Sequence, residues 1–127
     1  LYVFPEEETE EIDIAKEWRE LMKINQELNK IEKKIEQIKK ELMGIERMRP
    51  GCISSQISAN GKRYFQISYT YKMKSRTEYV RKEVVKRLRQ EVKAYKKFKK
   101  LTQQWVDLAI ERSKMEIENL KNKEKEN

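Results

Sequence analysis

Between two arms of about forty helix-like residues each, the stretch Gly61 to Val80 alternates its side chains. Along Arg63 to Tyr71, Phe65, Ile67, Tyr69 and Tyr71 form one face, and Tyr64, Gln66, Ser68 and Thr70 the other. Successive side chains of a strand point to opposite faces, so this pattern predicts a strand buried on one side. Ser75 to Val80 alternates as well, with Thr77 and Tyr79 against Arg76 and Glu78. A slip of one residue would bury the wrong set, so the alternation selects a register. With Lys72, Met73 and Lys74 as the loop, Thr77 falls opposite Tyr69 and Tyr79 opposite Ile67. That register leaves Gln66, Ser68, Thr70, Arg76 and Glu78 on the open face.

A third strand precedes these two. Ile53 and Ile57 point one way, and Ser54, Gln56 and Ser58 the other. Ala59-Asn60-Gly61 follows, and Asn-Gly is a strong hairpin signal. A two-residue loop would set Ile57 opposite Tyr64, on the polar face. A three-residue loop with Gly61 left-handed sets Ile57 opposite Arg63 and Ile53 opposite Ile67, and keeps the apolar face whole. The expectation is a three-stranded antiparallel meander from Cys52 to Val80.

The arms carry helical periods. In the first, Ile14, Leu21, Leu28, Ile35 and Leu42 recur every seven residues, and Ile24, Ile31, Ile38 and Ile45 recur three later. This is a coiled-coil seam. The first helix is expected over 6–48, opened by Pro5 and the acids Glu6, Glu7, Glu8, Glu10 and Glu11, and ended by Pro50-Gly51. The second is expected over 81–122, with Val85, Leu88, Val92, Tyr95, Phe98, Leu101, Trp105, Leu108, Ala109 and Met115 as its stripe. A charged tail over 123–127 is expected to fray. Folding the chain about residue 65 brings Leu42 to Leu88, Ile38 to Val92, Ile35 to Tyr95 and Ile45 to Val85. The expected fold is mainly α with a small β element. It is a long antiparallel two-helix coiled coil, about 60 Å long at 1.5 Å per residue, with the meander at its tip. The 127 residues suit one domain. Two helices bury little on their own, so a homodimer is expected through Trp18, Met22, Phe98 and Leu101.

Composition narrows the function. Charged residues make up 41% and histidine is absent, which removes the commonest general base and metal ligand. The lone Cys52 has no histidine partner and reads as a small residue starting a strand. Gly61-Lys62 lacks the upstream glycines of a phosphate loop. The chain is therefore read as not an enzyme, with no cofactor and no metal. No run of 18 apolar residues suggests a membrane span, and Leu1 to Phe4 before Pro5 is too short for a signal-peptide core. One cysteine and no export signal make cytoplasmic placement the simplest expectation.

The net charge is +8, but it is concentrated. Residues 81–100 hold 10 basic and 2 acidic side chains, and residues 51–80 hold 5 and 1. Such a field marks a phosphate-binding surface. Lys82, Lys86, Arg89, Lys93, Lys96, Lys97 and Lys100 recur at helical spacing beside the apolar stripe. Lys62, Arg63, Lys72, Lys74 and Arg76 add charge on the sheet, where Tyr64, Gln66, Ser68, Thr70 and Arg76 are candidates to read bases in a groove. A solvated helix face and a wet sheet face are the plainer alternatives.

The stretch resembles a bacterial domain family often linked with mobile elements. The matching residues are Arg49-Pro50-Gly51, the Gly61-Lys62 turn, Tyr64 to Thr70, and Lys74 to Val80, followed by Tyr95, Phe98 and Leu101. Members often carry a cysteine-bearing insert after the Gly-Lys turn. This chain lacks it, so the resemblance implies no metal knuckle here. More distantly, the stretch is similar to the three-stranded arm-type DNA-binding domains of tyrosine recombinases, which set a sheet in the major groove. The concentrated charge makes a non-enzymatic nucleic-acid-binding protein the leading expectation, with DNA the favoured target, and the resemblances add a mobile-element accessory role. RNA binding, with Tyr64 stacking on bases, is the variant. A coiled-coil structural or adaptor protein with a protein partner is the alternative from another class.

Overall fold

The structure, a computed structural model, describes the backbone of residues 6–125 and the side chains of residues 14–121. Leu1 to Phe4, Pro5 and the side chains of the acidic run after it lie outside the described residues. The chain is mainly helical with a small sheet, in the order α1 (Glu6–Met43), β1 (Cys52–Ile57), β2 (Arg63–Tyr71), β3 (Lys74–Val80), a 3-10 turn (Lys82–Val84) and α2 (Val85–Lys125). Among the described residues no helix is long and apolar enough to cross a membrane. The contacts divide the chain into two compact units. One comprises Leu1–Ile38 with Trp105–Asn127, and the other Lys39–Gln104.

In the first unit, Leu21, Ile24, Leu28, Ile31, Ile35 and Ile38 are the shielded positions of α1. Their spacing of three and four is the seven-residue repeat expected of a seam. On α2, Trp105, Leu108, Arg112, Met115 and Asn119 are shielded at the same spacing. Ile14 departs from the expected seam and is 55% exposed. The helix continues to Lys125, so the expected tail over 123–127 is helical for its first three residues.

In the second unit, α1 stops at Met43 rather than near Met48. Gly44 is the cause, since glycine is a poor helix former. Its N–H is shared between the carbonyls of Lys40 and Glu41, both at 3.2 Å, and Ile45 N–H then reaches back to Leu42 O at 3.1 Å. Residues 45–51 run without regular structure to the sheet, so Ile45 is not part of the helical seam. Arg49 straps this run to α2, its N–H donating to Glu91 O at 3.0 Å.

The sheet is antiparallel in the order β1-β2-β3. Ile53 pairs with Ile67 and Ile57 with Arg63, as the three-residue loop predicts. Ser58 N–H donates to Lys62 O and Gly61 N–H to Ser58 O, both at 2.9 Å, and Gly61 has φ +77°. The second hairpin differs from expectation by one residue. Tyr71 pairs with Lys74, leaving a two-residue turn of Lys72 and Met73 with φ +50° and +65°. Thr77 consequently faces Ser68, Tyr79 faces Gln66, Arg76 faces Tyr69 and Glu78 faces Ile67. Phe65 now lies opposite Val80, which is buried. Burying a valine side chain is worth roughly 1.5–3 kcal/mol, whereas a tyrosine can leave its ring half wet and its hydroxyl hydrated. Choosing Val80 over its neighbour Tyr79 for the interior therefore decides the register.

The packed face rests on the first turns of α2. Ile67, Val80, Val85 and Val92 form the core, with Ile53, Phe65 and Leu88 partly buried against it. The backbone of Gly51 crosses this core closely. A Cβ there would lie 2.7 Å from Ile67 Cγ1, and its φ of +151° favours glycine independently.

Candidate functional site

The structure sorts most of the expected site residues into a charged group with α2 and an uncharged group on the open face of the sheet, with four cations at the sheet's ends. The charged group lies with α2. At about 100° per residue, Lys86, Arg89, Lys93, Lys96, Lys97 and Lys100 fall within an arc of about 100° on that helix, while Glu83 and Glu91 fall outside it. Every one of these six is exposed, as is Lys82 in the 3-10 turn. The helix presents them because the neighbouring side of the cylinder, carrying Val85, Leu88 and Val92, is held against the sheet. Glu91 pairs instead with Arg87, at 3.7 Å. Among the described residues, none of the seven has a carboxylate within ion-pair distance. Lys82, Lys86, Arg89 and Lys93 line an open groove of about 490 Å³ together with Gln90 and Phe65.

A second hollow, of about 450 Å³, lies where the β2–β3 hairpin meets α2. Its cations are Arg76, Lys96 and Lys99. Lys99 was not among the residues expected from the sequence, and its ammonium sits 5.7 Å from the Tyr95 ring centroid. The open-face placement expected for Arg76 and Glu78 is incorrect, because the two-residue turn puts both on the packed side. There Glu78 belongs to a structural cluster. Arg49 Nη2 donates to Glu78 Oε2 at 2.9 Å, and Tyr69 OH donates to Oε1 at 2.8 Å. The Arg49 guanidinium also lies 5.2 Å from the centre of the Tyr69 ring. The hydrogen bond from Arg49, and then the one from Tyr69, hold the Glu78 carboxyl below the ordinary carboxylate range.

The uncharged group lies on the open face. Cross-strand pairing puts Tyr64, Gln66, Ser68 and Thr70 there with Cys52, Ser54 and Gln56 from β1 and Ser75, Thr77 and Tyr79 from β3. Among the described residues of the three strands, this face carries no charged side chain. Its hydroxyls pair across β2 and β3, Ser68 with Thr77 at 3.2 Å and Thr70 with Ser75 at 3.1 Å. Tyr79 is 70% exposed. Sequence reasoning missed Ser75, Thr77 and Tyr79 because it placed the second hairpin one residue away. The signal available was Val80, whose burial requires Tyr79 to face outward.

Lys62 lies in the β1–β2 loop, Arg63 opens β2, Lys72 is in the tight turn and Lys74 opens β3. They therefore mark the two ends of the sheet rather than joining the α2 stripe, and Lys72 Nζ sits 5.5 Å from the centre of the Tyr71 ring. Cys52 is a free, exposed thiol at the start of β1. Among the described residues no cluster of His, Cys, Asp or Glu is arranged to hold a metal ion. Set against family models, curated proteins and solved structures, the chain matches none.

Proposed function

We propose that this chain is a non-enzymatic nucleic-acid-binding protein whose second helix grips phosphates. The observation that carries this reading is the stripe from Lys86 to Lys100, exposed at helical spacing, with no acid in its arc and no carboxylate partner among the described residues. A merely solvated helix face intersperses acids at i,i+4 and neutralises itself. This face keeps its charge along about 20 Å of helix. Lys and Arg that neutralise phosphates release condensed counterions, which makes such binding strongly salt-dependent. The major-groove reading of the sheet relies on Arg76 and Gln66 sharing one face. With Arg76 turned to the packed side, that reading loses its arginine, and phosphate contact by α2 becomes the main support.

A mobility-shift titration with random-sequence duplex and single strand, over several salt concentrations, tests the proposal. Retention is expected at low salt. Log affinity should fall linearly with log salt, by about 0.7–0.9 for each phosphate neutralised. Failure to retain either nucleic acid at the lowest salt would reduce the stripe to a solvated surface.

A second reading rests on a different observation. In the first unit Ile14, Trp18, Met22, Val106, Ile110, Ile117 and Leu120 are all at least half exposed. Such apolar exposure suits a protein contact, and a second copy of the chain is the occupant first expected. Phe98 and Leu101 drop out of that expected flank, since Phe98 is half-buried and Leu101 is only 5% exposed. Light scattering that returns a 15.5 kDa species at high concentration would exclude the dimer.

A further inference from the structure

We infer that the open face of the sheet is a stacking platform for the unpaired bases of single-stranded RNA, an inference that rests on the nucleic-acid reading above and names its target. The register is the starting point. Because Tyr79 pairs with Gln66, it shares a face with Tyr64, two residues before Gln66 on the neighbouring strand. The two rings are thus diagonal neighbours, about 7–8 Å apart at the backbone, so each can carry its own base. Tyr79 is 70% exposed and Tyr64 half-buried; aromatic rings on a sheet face support stacked bases, and stacking tolerates any sequence because every base has a π-face.

The rest of the face suits what a single strand of RNA offers besides its phosphates. Gln56 lies opposite Tyr64, and Gln66 between Ser54 and Tyr79. Their amides both donate and accept, as a base edge requires. The paired hydroxyls of Ser68 with Thr77 and Thr70 with Ser75 can each donate or accept. That matches the ribose 2′-hydroxyl, which is both donor and acceptor and distinguishes RNA from DNA. Among the described strand residues, this face holds no carboxylate to repel the strand.

Charge at the margins supplies the electrostatic match. Thr70, Ser75 and Thr77 line the hollow that also holds Arg76, Lys96 and Lys99. Lys62 and Lys72 stand at the two turns that bound the sheet. A duplex cannot use the platform, since its bases are already stacked and paired.

The experiment is fluorescence anisotropy with a labelled RNA of about a dozen nucleotides and no self-complementarity, the DNA strand of the same sequence, and the matching DNA duplex. The intact chain should bind the RNA more tightly than either DNA form. Tyr64→Ala with Tyr79→Ala should weaken RNA binding by about thirtyfold or more and leave duplex binding unchanged. Tyr64→Phe with Tyr79→Phe should restore RNA binding, which separates stacking from loss of the fold. Unchanged RNA affinity in the alanine pair overturns the platform, and equal affinity for the DNA strand overturns the assignment to RNA. Binding of duplex alone overturns the platform while leaving the α2 stripe standing. If the intact chain binds none of the three, the nucleic-acid reading itself fails and takes the platform with it.

Discussion

At Gly51 a single hydrogen decides whether the connection from α1 can pass the sheet. The nearest atoms to an added methyl would be Cγ1 and Cδ1 of Ile67, at 2.7 and 2.8 Å, and Ile67 is fully buried. Gly51→Ala should therefore cost roughly 1–3 kcal/mol through overpacking, with backbone strain in addition, and lower the thermal midpoint. Gly61→Ala meets nothing within 4 Å, so its penalty is the left-handed backbone alone, about 1–2 kcal/mol. The Arg49–Tyr69–Glu78 cluster makes a pH prediction. Because the folded carboxyl titrates below its unfolded value, its contribution is present above the ordinary glutamate range and is lost as pH falls through the lower folded value. A melting series in acid should show the parent's advantage over Glu78→Gln shrinking below about pH 4. An advantage that grows with acidity would contradict the hydrogen-bonded carboxylate.

At the scale of elements, the buried period of α1 makes a sharp contrast between two isoleucines. Ile38 is 6% exposed and Ile14 is 55% exposed, although both lie on the repeat read from the sequence. Ile38→Asp should lose several kcal/mol from a total of roughly 5–15 and melt much of the helix, because it buries an unpaired carboxylate. Ile14→Asp should stay within about 0.5 kcal/mol. Equal circular-dichroism melts for the two variants would show the seam to be misplaced. The first hairpin was legible because Asn60-Gly61 names its own turn chemistry. The second was not, because Lys72 and Met73 both adopt left-handed φ without the Asn or Gly that usually signals it. The end of α1 was misread for a related reason. Gly44 is a weak break and Pro50-Gly51 a strong one, and the sequence carries both within seven residues.

For the whole molecule, charge and shape divide the labour. The alternation and heptads made the element order readable in advance. The lysine stripe on α2 was readable too, since helical spacing fixes which side chains share a face. The partition of the sheet residues was not, because one residue of slip exchanges Tyr79 and Thr77 for Arg76 and Glu78 on the open side. The central claim is that the α2 stripe binds phosphates, and its most direct test is the salt dependence of binding after reversing Lys86, Lys93 and Lys97 to Glu together. All three are exposed and unpaired among the described residues, so circular dichroism should match the parent. The slope of log affinity against log salt should flatten by about two to three units, with affinity falling at every salt concentration. A triple variant that binds nucleic acid with the parent's affinity and slope would contradict the account.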